Sequence, residues 1–448
     1  MISISKSTNI IQELLPQVFD IQDDFTNLNE YDLAFRLNQL NMTLVASYLE
    51  KLDDSFANSS NRLENYYIKQ KRKRTIVTTI GPITFSRRQY LHRKTGDYFY
   101  YVDSLFDLVS YQRISNTLKF EILKMITERS YSKTATHFGV SKQTVFNTIY
   151  SLKNIIFSPP DFIQKRTLHH LYIQADECYV SLQTHKHPDK KSNKIRIEEV
   201  TIHEGIVPVC KGRNKLVNRT LFTRNSNEST SMFYQRIKAW IQRNYHYESL
   251  YLYGDGASWI THCAKQLNAT FILDLYHTKQ AINRLSRDKS IRKFATEFLI
   301  KNKFSAFESL YSALIDMNYP LTKQAHQSFD YLVKHWMHIQ LNFSLPQSVG
   351  CSQEGINFHY FASRLTTFPR GWSEHNVRTV AGLLTLIHNH NALKSLHELL
   401  IPTSISLETV IKDSRLGESI PYVVIESLSD NHQFHKQGYL HLNHFRLN

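Results

Sequence analysis

The sequence predicts a mixed α/β domain preceded by a helical, β-ribbon and helix-turn-helix region. Three observations lead there. Strand-like runs beyond residue 165 give way to a strand–helix alternation. A basic stretch at 69–110 alternates and carries turn residues. A small-residue, glycine, core pattern at 130–152 reads as two short helices around a tight turn. The 448 residues suffice for two to four domains at ~150 residues each. With 42% hydrophobic and 12% aromatic residues the chain can build a sizeable core, and wholesale disorder is excluded.

Residues 31–57 predict a helix, because Leu33, Leu37, Leu40, Leu44 and Tyr48 recur at spacings of three and four. The stripe fits a core face or, alternatively, a subunit contact. Lys69, Lys71, Arg72, Lys73 and Arg74 follow, a solvated run or linker by its charge. The run leads into three predicted short strands with turns at Gly81-Pro82 and Thr95-Gly96-Asp97. Arg87, Arg88, His92, Arg93 and Lys94 make this ribbon basic enough to lie along a phosphate backbone. In residues 130–152, Gly139 suits a positive φ and Ser141 an N-cap. Phe138, Val140, Val145 and Ile149 are the candidate core. Lys142, Gln143, Thr144 and Asn147 then project from the second helix, as major-groove readers do.

Pro159-Pro160 marks a boundary. Beyond it come a strand at 171–183, the polar turn THKHPDKKSNK, strands in IRIEEVTIHEGIVPV and RTLFT, and a helix in STSMFYQRIKAWIQRNY. SLYLYGDG and ATFILD are strands, each passing into a helix, and 285–345 is helical and polar. Three antiparallel strands feeding a strand–helix alternation is the order of a ribonuclease-H-like fold. The predicted divisions are 1–68 (helical), 69–110 (ribbon), 111–157 (helix-turn-helix), 165–285 with 346–395 (catalytic), 286–345 (all-α insertion) and 396–448 (C-terminal segment).

Asp176 and Glu177 stand in the middle of the first of these strands. A strand's period of two sends them to opposite faces. Asp176 shares the more polar face with Tyr172, Gln174 and Cys178. Glu177 follows Leu171, Ile173 and Ala175 and calls for a basic partner. Asp255 ends the fourth strand, which in this strand order lies beside the first. Converging carboxylates repel unless a divalent cation neutralises them, and oxygen ligands suit Mg²⁺ or Mn²⁺. Taken singly, Asp255 also fits a turn former and Asp176 a structural ion pair. A third acid is expected on the late helical face: Glu354 in GCSQEG, with Glu374 in GWSEHN as the runner-up.

The stretches ADE, YGDGASWI, LDLYHTKQAI, GCSQEG and SRLTTFPRGWS, with the ribbon RRQYLHRKTGDYFYYVD, occur in the order found in the ISLre-two family of bacterial insertion-sequence transposases. The chain resembles that family from about residue 70 to about residue 390. The family is of the DDE type and related to Mutator-like transposases. The resemblance implies a DNA transposase with Asp176, Asp255 and Glu354 as a catalytic and metal-binding triad for two Mg²⁺ or Mn²⁺ ions. It also implies an all-helical insertion before the glutamate, and support from Glu177, Asp274 and His277. Arg72, Arg74, Arg87, Arg88 and Arg93 join the second-helix residues as expected DNA contacts, to terminal inverted repeats and target DNA. Cutting two ends implies a homodimer or higher oligomer. One departure stands out: Cys178 and Tyr179 occupy places where the family tends to carry a further acid and a histidine. A DNA-binding regulator without catalysis and a nuclease without strand transfer are the alternatives.

The net charge of +15 fits a polyanionic partner. The four cysteines form no CxxC pair, which argues against a zinc ribbon and for reduced thiols in a cytoplasmic, nucleoid-associated protein. No secretory signal and no membrane span are expected.

Overall fold

A computed structural model describes residues 30–183, 193–210, 213–367 and 371–389. The chain divides into two compact units, Met1–Leu118 with Ile401–Asn448, and Lys119–Leu400. The polar turn at 184–192, the first 29 residues and the segment 396–448 lie outside the described residues.

The first unit opens with α1 (Glu30–Ala57) and α2 (Ser60–Asn65), the latter N-capped by Ser59. β1 (Tyr66–Thr78) and β2 (Gly81–His92) form a long antiparallel hairpin, and β3 (Tyr98–Tyr100) adds a third strand beside β2. The run from Lys69 to Arg74 is therefore strand, not linker. A short α3 (Tyr101–Leu105) follows. Helix α1 packs only in part through the expected stripe, with Leu40 buried and Leu44 half-buried. Leu33, Leu37 and Tyr48 are exposed, while Met42, Val45, Ala46 and Leu49 meet Ile76, Ile83, Phe85 and Val102. The packing face is set by the hairpin's apolar rungs, which a single-helix period cannot reveal.

The second unit begins with α4 (Asn116–Ile126), whose first residues precede the division, then α5 (Tyr131–Phe138) and α6 (Lys142–Tyr150). Gly139 ends α5 with φ +63°, a conformation that glycine adopts without steric penalty. Ser141 caps α6 by accepting the Thr144 N–H at 3.0 Å. Val145 and Ile149 are fully buried, with Phe138 and Val140 half-buried beside them.

Next come β4 (Arg166–Ser181), β5 (Lys194–His203), β6 (Ile206–Cys210), β7 (Arg213–Leu216), β8 (Thr220–Thr223), α7 (Thr230–Asn244), β9 (Tyr245–Gly254), α8 (Ser258–Leu267), β10 (Thr270–Leu273) and α9 (Leu275–Leu285). Five of these strands make one mixed sheet in the order β10-β9-β4-β5-β8. β4–β5 and β5–β8 are antiparallel; β4–β9 and β9–β10 are parallel. β6 and β7 form a separate hairpin that the sequence pattern does not resolve. The helices α10 (Lys289–Ile300), α11 (Phe304–Asp316), α12 (Lys323–Lys334) and α13 (Trp336–Ser344) fill the segment expected to be helical. α14 (Gln353–Ile356) runs into a π-helical turn (Asn357–Ala362) and α15 (Ser363–Leu365), and α16 (Glu374–His388) closes the described chain.

The sheet's two faces differ as the alternation in β4 predicts. Leu171, Ile173 and Ala175 enter the main core with Ile237, Trp240, Trp259 and Leu273. On the other face Tyr172, Tyr251, Tyr253 and Ile272 pack under Leu341, Leu345 and Val349. Among the described residues no helix is long and apolar enough to cross a membrane.

Candidate functional site

Parallel register places the acids. Tyr172 pairs with Tyr251 and Gln174 with Tyr253, all on the Tyr172 face. Two residues further along stand Asp176, on that same face of β4, and Asp255, in the turn immediately after β9. Ile272 pairs with Tyr253 across β10, so Asp274 comes to the same face two residues later.

Asp176 is buried. Its Oδ1 accepts the Glu177 N–H at 2.8 Å, and its Oδ2 accepts from Asn357 Nδ2 at 3.0 Å. Burial pushes its pKa up to about 6; the Asn357 and Glu177 hydrogen bonds pull the other way, and the Glu354 carboxylate adds to the rise. Asp255 heads a tight turn, with its Oδ1 accepting the Ala257 N–H at 2.8 Å. Asp274 N-caps α9 through the Tyr276 N–H at 3.0 Å, and its Oδ2 lies 3.0 Å from His277 Nδ1. Burial lowers the His277 pKa, yet the Asp274 hydrogen bond and the Asp274, Asp255 and Asp176 charges raise it on balance. The imidazole thus sits in the field of three acids, which favour its protonated form.

The strand also holds the segment that carries Glu354, the expected third acid. Gln174 Oε1 accepts from the Ser352 N–H at 3.0 Å and the Ser352 hydroxyl at 3.1 Å. Asn357, one turn beyond Glu354, bonds Asp176 and also the Glu177 carbonyl at 3.1 Å. Two β4 side chains thereby dock the segment carrying Glu354, whose own side chain is exposed. Its helix continues as a π turn, a distortion frequent at functional sites. Glu374, the runner-up, starts α16 and lies 3.8 Å from Arg378 instead.

Among the described residues Glu177 has no basic partner. The Trp259 indole N–H donates to its Oε2 and the Tyr179 hydroxyl to its Oε1 at 3.0 Å. Its main-core face supplied an aromatic ring where the charge alone suggested a cation.

Sequence reasoning missed Glu199. It pairs with Asp176 across the β4–β5 ladder, is fully buried, and among the described residues neither carboxyl oxygen has a nitrogen or oxygen hydrogen-bond donor. Burial, Asp176, Glu177 and Glu354 push its pKa far up, offset in part by the Cys178 thiol. The acidic pair Glu198-Glu199 inside a strand is a visible signal, but only the register sets it against Asp176-Glu177. Asn357 and Gln174 carry no comparable sequence signal.

The donor chemistry suits a hard divalent cation: carboxylate oxygens that sense one another without a cationic side chain among them except His277. Among the described residues, however, no three His, Cys, Asp or Glu groups converge at metal-holding distance. The carboxylates share one electrostatic field without forming a closed ligand cage.

The expected DNA contacts divide. Lys142, Gln143 and Asn147 are exposed on α6 with Thr144 half-buried, and Gln143 Nε2 donates to Asn147 Oδ1 at 2.8 Å. Arg72 and Arg93 are exposed on the hairpin, as are Lys69, Lys71, Lys73 and Lys94. Arg74 and Arg87 are instead buried in ion pairs with Asp103 of α3, the Arg87 pair at 2.9 Å. Arg88 pairs with Asp53 at 2.7 Å and Asp54 at 2.6 Å. These three arginines hold the first unit together, because a charge at an inward-facing rung must be paired.

Comparison with known proteins gives a long match and a weak one. The chain is 26% identical over 407 residues to a UPF0236 protein of Caldanaerobacter subterraneus subsp. tengcongensis, covering 88% of this chain and 85% of that protein. The name of that relative joins eleven numbered gene designations. A second UPF0236 protein of the same organism is 27% identical over 410 residues, covering 88% and 80%. Among solved structures, the Mos1 transposase paired-end complex with left transposon end is 11% identical, with 51% of this chain and 78% of that one covered. Its TM-score of 0.13 is too low to carry an argument. The model of the uncharacterised protein family UPF0236 matches residues 23–396, spanning both the hairpin and the acid-bearing sheet, and the chain belongs to that family.

Proposed function

We propose that the protein is the DNA transposase of an insertion sequence, with a ribonuclease-H-like catalytic sheet, acting by DNA 3′-end cleavage and strand transfer. One observation carries the reading: Asp176 lies on β4, Asp255 directly follows the adjacent parallel strand β9, and Asp176 docks the helix of Glu354 through Asn357. The strand order and the helical segment between Asp255 and Glu354 support it. So does a relative whose one name covers eleven gene designations, as expected of a gene that spreads copies of itself.

Asp176, Asp255 and Glu354 would hold Mg²⁺ or Mn²⁺, with Glu354, exposed and three rotatable bonds long, completing the set. Such ions supply nucleophile activation and leaving-oxygen stabilisation in phosphodiester chemistry. Asn357 orients one oxygen of Asp176 and leaves the carboxylate fixed on the sheet. His277, held by Asp274, offers a positive charge to a phosphate oxygen beside the acids. Water attacks the phosphorus at the element's end and displaces the 3′-oxygen, leaving a 5′-phosphate on the flank. The freed 3′-hydroxyl then attacks a target phosphodiester and displaces the target strand's own 3′-oxygen, which leaves as a 3′-hydroxyl. Lys142, Gln143, Thr144 and Asn147 read the terminal repeat, and Arg72, Arg93 and the exposed hairpin lysines contact phosphates. Two ends cut together call for at least two subunits.

A DNA-binding regulator without catalysis is the second reading, favoured by Cys178 and Tyr179 and by the lack of three convergent donors among the described residues. One assay separates them. Protein, DNA carrying the flanking repeats, and Mg²⁺ should give 3′-hydroxyl ends joined to target DNA, and Asp255→Ala should abolish both steps. Absence of cleavage by the wild type, or equal cleavage by the variant, overturns the transposase.

A further inference from the structure

The Asp255 turn is braced from the helical segment as well as from its own sheet. The Tyr331 hydroxyl on α12 donates to the Asp255 carbonyl at 2.7 Å. The His335 ring lies so close to Gly256 that an added Cβ would meet its Cε1 at 2.8 Å and its Nε2 at 2.9 Å. Gly256 has φ +86°, so the turn needs glycine both for conformation and for room. On the next strand Asn342 Nδ2 of α13 donates to the Leu273 carbonyl at 2.8 Å, just before Asp274. The Asp274 N–H in turn reaches the Gly254 carbonyl at 2.9 Å.

The brace has a firm footing. Leu332 and Trp336, which flank Tyr331 and His335 in sequence, are buried in the main core. The helix position is therefore passed directly to the Asp255 backbone.

We infer that Tyr331, seconded by His335, is a positioning residue that sets the Asp255 carboxylate through the turn backbone, making the helical segment a working part of the acidic site. The inference rests on the proposed DNA cleavage, but one arm of its test does not.

The test compares wild type with Tyr331→Phe, which removes one hydroxyl and keeps the ring. Amide exchange at Gly256 and Ala257 should quicken about tenfold while exchange elsewhere in α12 and the thermal midpoint stay unchanged. In DNA cleavage, kcat should fall about tenfold, KM for DNA should hold, and the Mg²⁺ concentration at half-maximal rate should rise. Unchanged exchange at the turn overturns the brace. So does a variant that cuts with the wild-type kcat and Mg²⁺ midpoint. If the wild type cuts no DNA, the proposed function fails, and the exchange arm alone decides the brace.

Discussion

The two faces of the β4–β5 ladder carry two pairs of acids, and they are treated in opposite ways. On the main-core face Glu198 meets Arg196 at 3.1 Å, Arg224 at 3.0 Å and Arg378 at 3.2 Å. Burial pushes its pKa up, but Arg224 and Arg378 bring it below the ordinary value. One residue along, on the other face, Glu199 has no such partner, and Asp176 opposite it is held by an amide and a backbone N–H. The same residue types in the same ladder thus serve as a lock on one side and a strained, unneutralised cluster on the other. A buried acid with its own arginines is structure; one kept from cations is available for chemistry.

The contrast can be broken by substitution, and the largest effect is expected on the paired face. Glu198→Gln strands three guanidinium groups, the Arg378 side chain being 4% exposed. It should destabilise by about 3–5 kcal/mol in denaturant unfolding. A loss below about 1 kcal/mol would mean that the arginines do not compensate Glu198.

Asp176→Asn should act the other way. The folded protein raises this carboxyl from 3.8 to about 6, so it binds the proton more tightly than the unfolded chain does. Stability is then greatest below about pH 4 and falls as pH rises through 4 to 6. At pH 7 the variant should gain up to roughly 3 kcal/mol and at pH 3 almost nothing, while losing cleavage. A gain that does not depend on pH would contradict the burial argument.

Glu199→Gln should be milder still, under about 1 kcal/mol at pH 7, because burial and the neighbouring acids favour the protonated carboxyl, which the amide resembles. The comparison with Glu198→Gln sets neighbouring positions against each other. Equal losses would erase the difference between the faces.

The smallest effect is outside the sheet. Lys142→Ala should weaken binding to the terminal repeat while leaving binding to unrelated DNA nearly unchanged. An even loss across sequences would make Lys142 a phosphate contact instead.

Much of this was legible before any coordinates. The alternation in β4 separated Asp176 from Glu177, and the glycine and serine at 139 and 141 placed the turn between α5 and α6. Strand order brought Asp255 to the strand beside Asp176. What stayed hidden depended on tertiary register. Glu199 counts only because it faces Asp176 across the ladder, and Asn357 only because its helix docks there. Arg74, Arg87 and Arg88 looked like phosphate contacts because a basic run carries no mark of Asp103 and Asp53, which neutralise them from distant helices.

The most direct measurement is the titration of the Asp176 carboxyl itself, by isotope-edited infrared spectroscopy on wild type and Asp176→Asn, without and with Mg²⁺. The account predicts a midpoint of about 6 without the ion. It predicts a clear fall when Mg²⁺ is present, because the cation favours the ionised form. A midpoint near 3.8, or one near 6 that Mg²⁺ leaves in place, would contradict it.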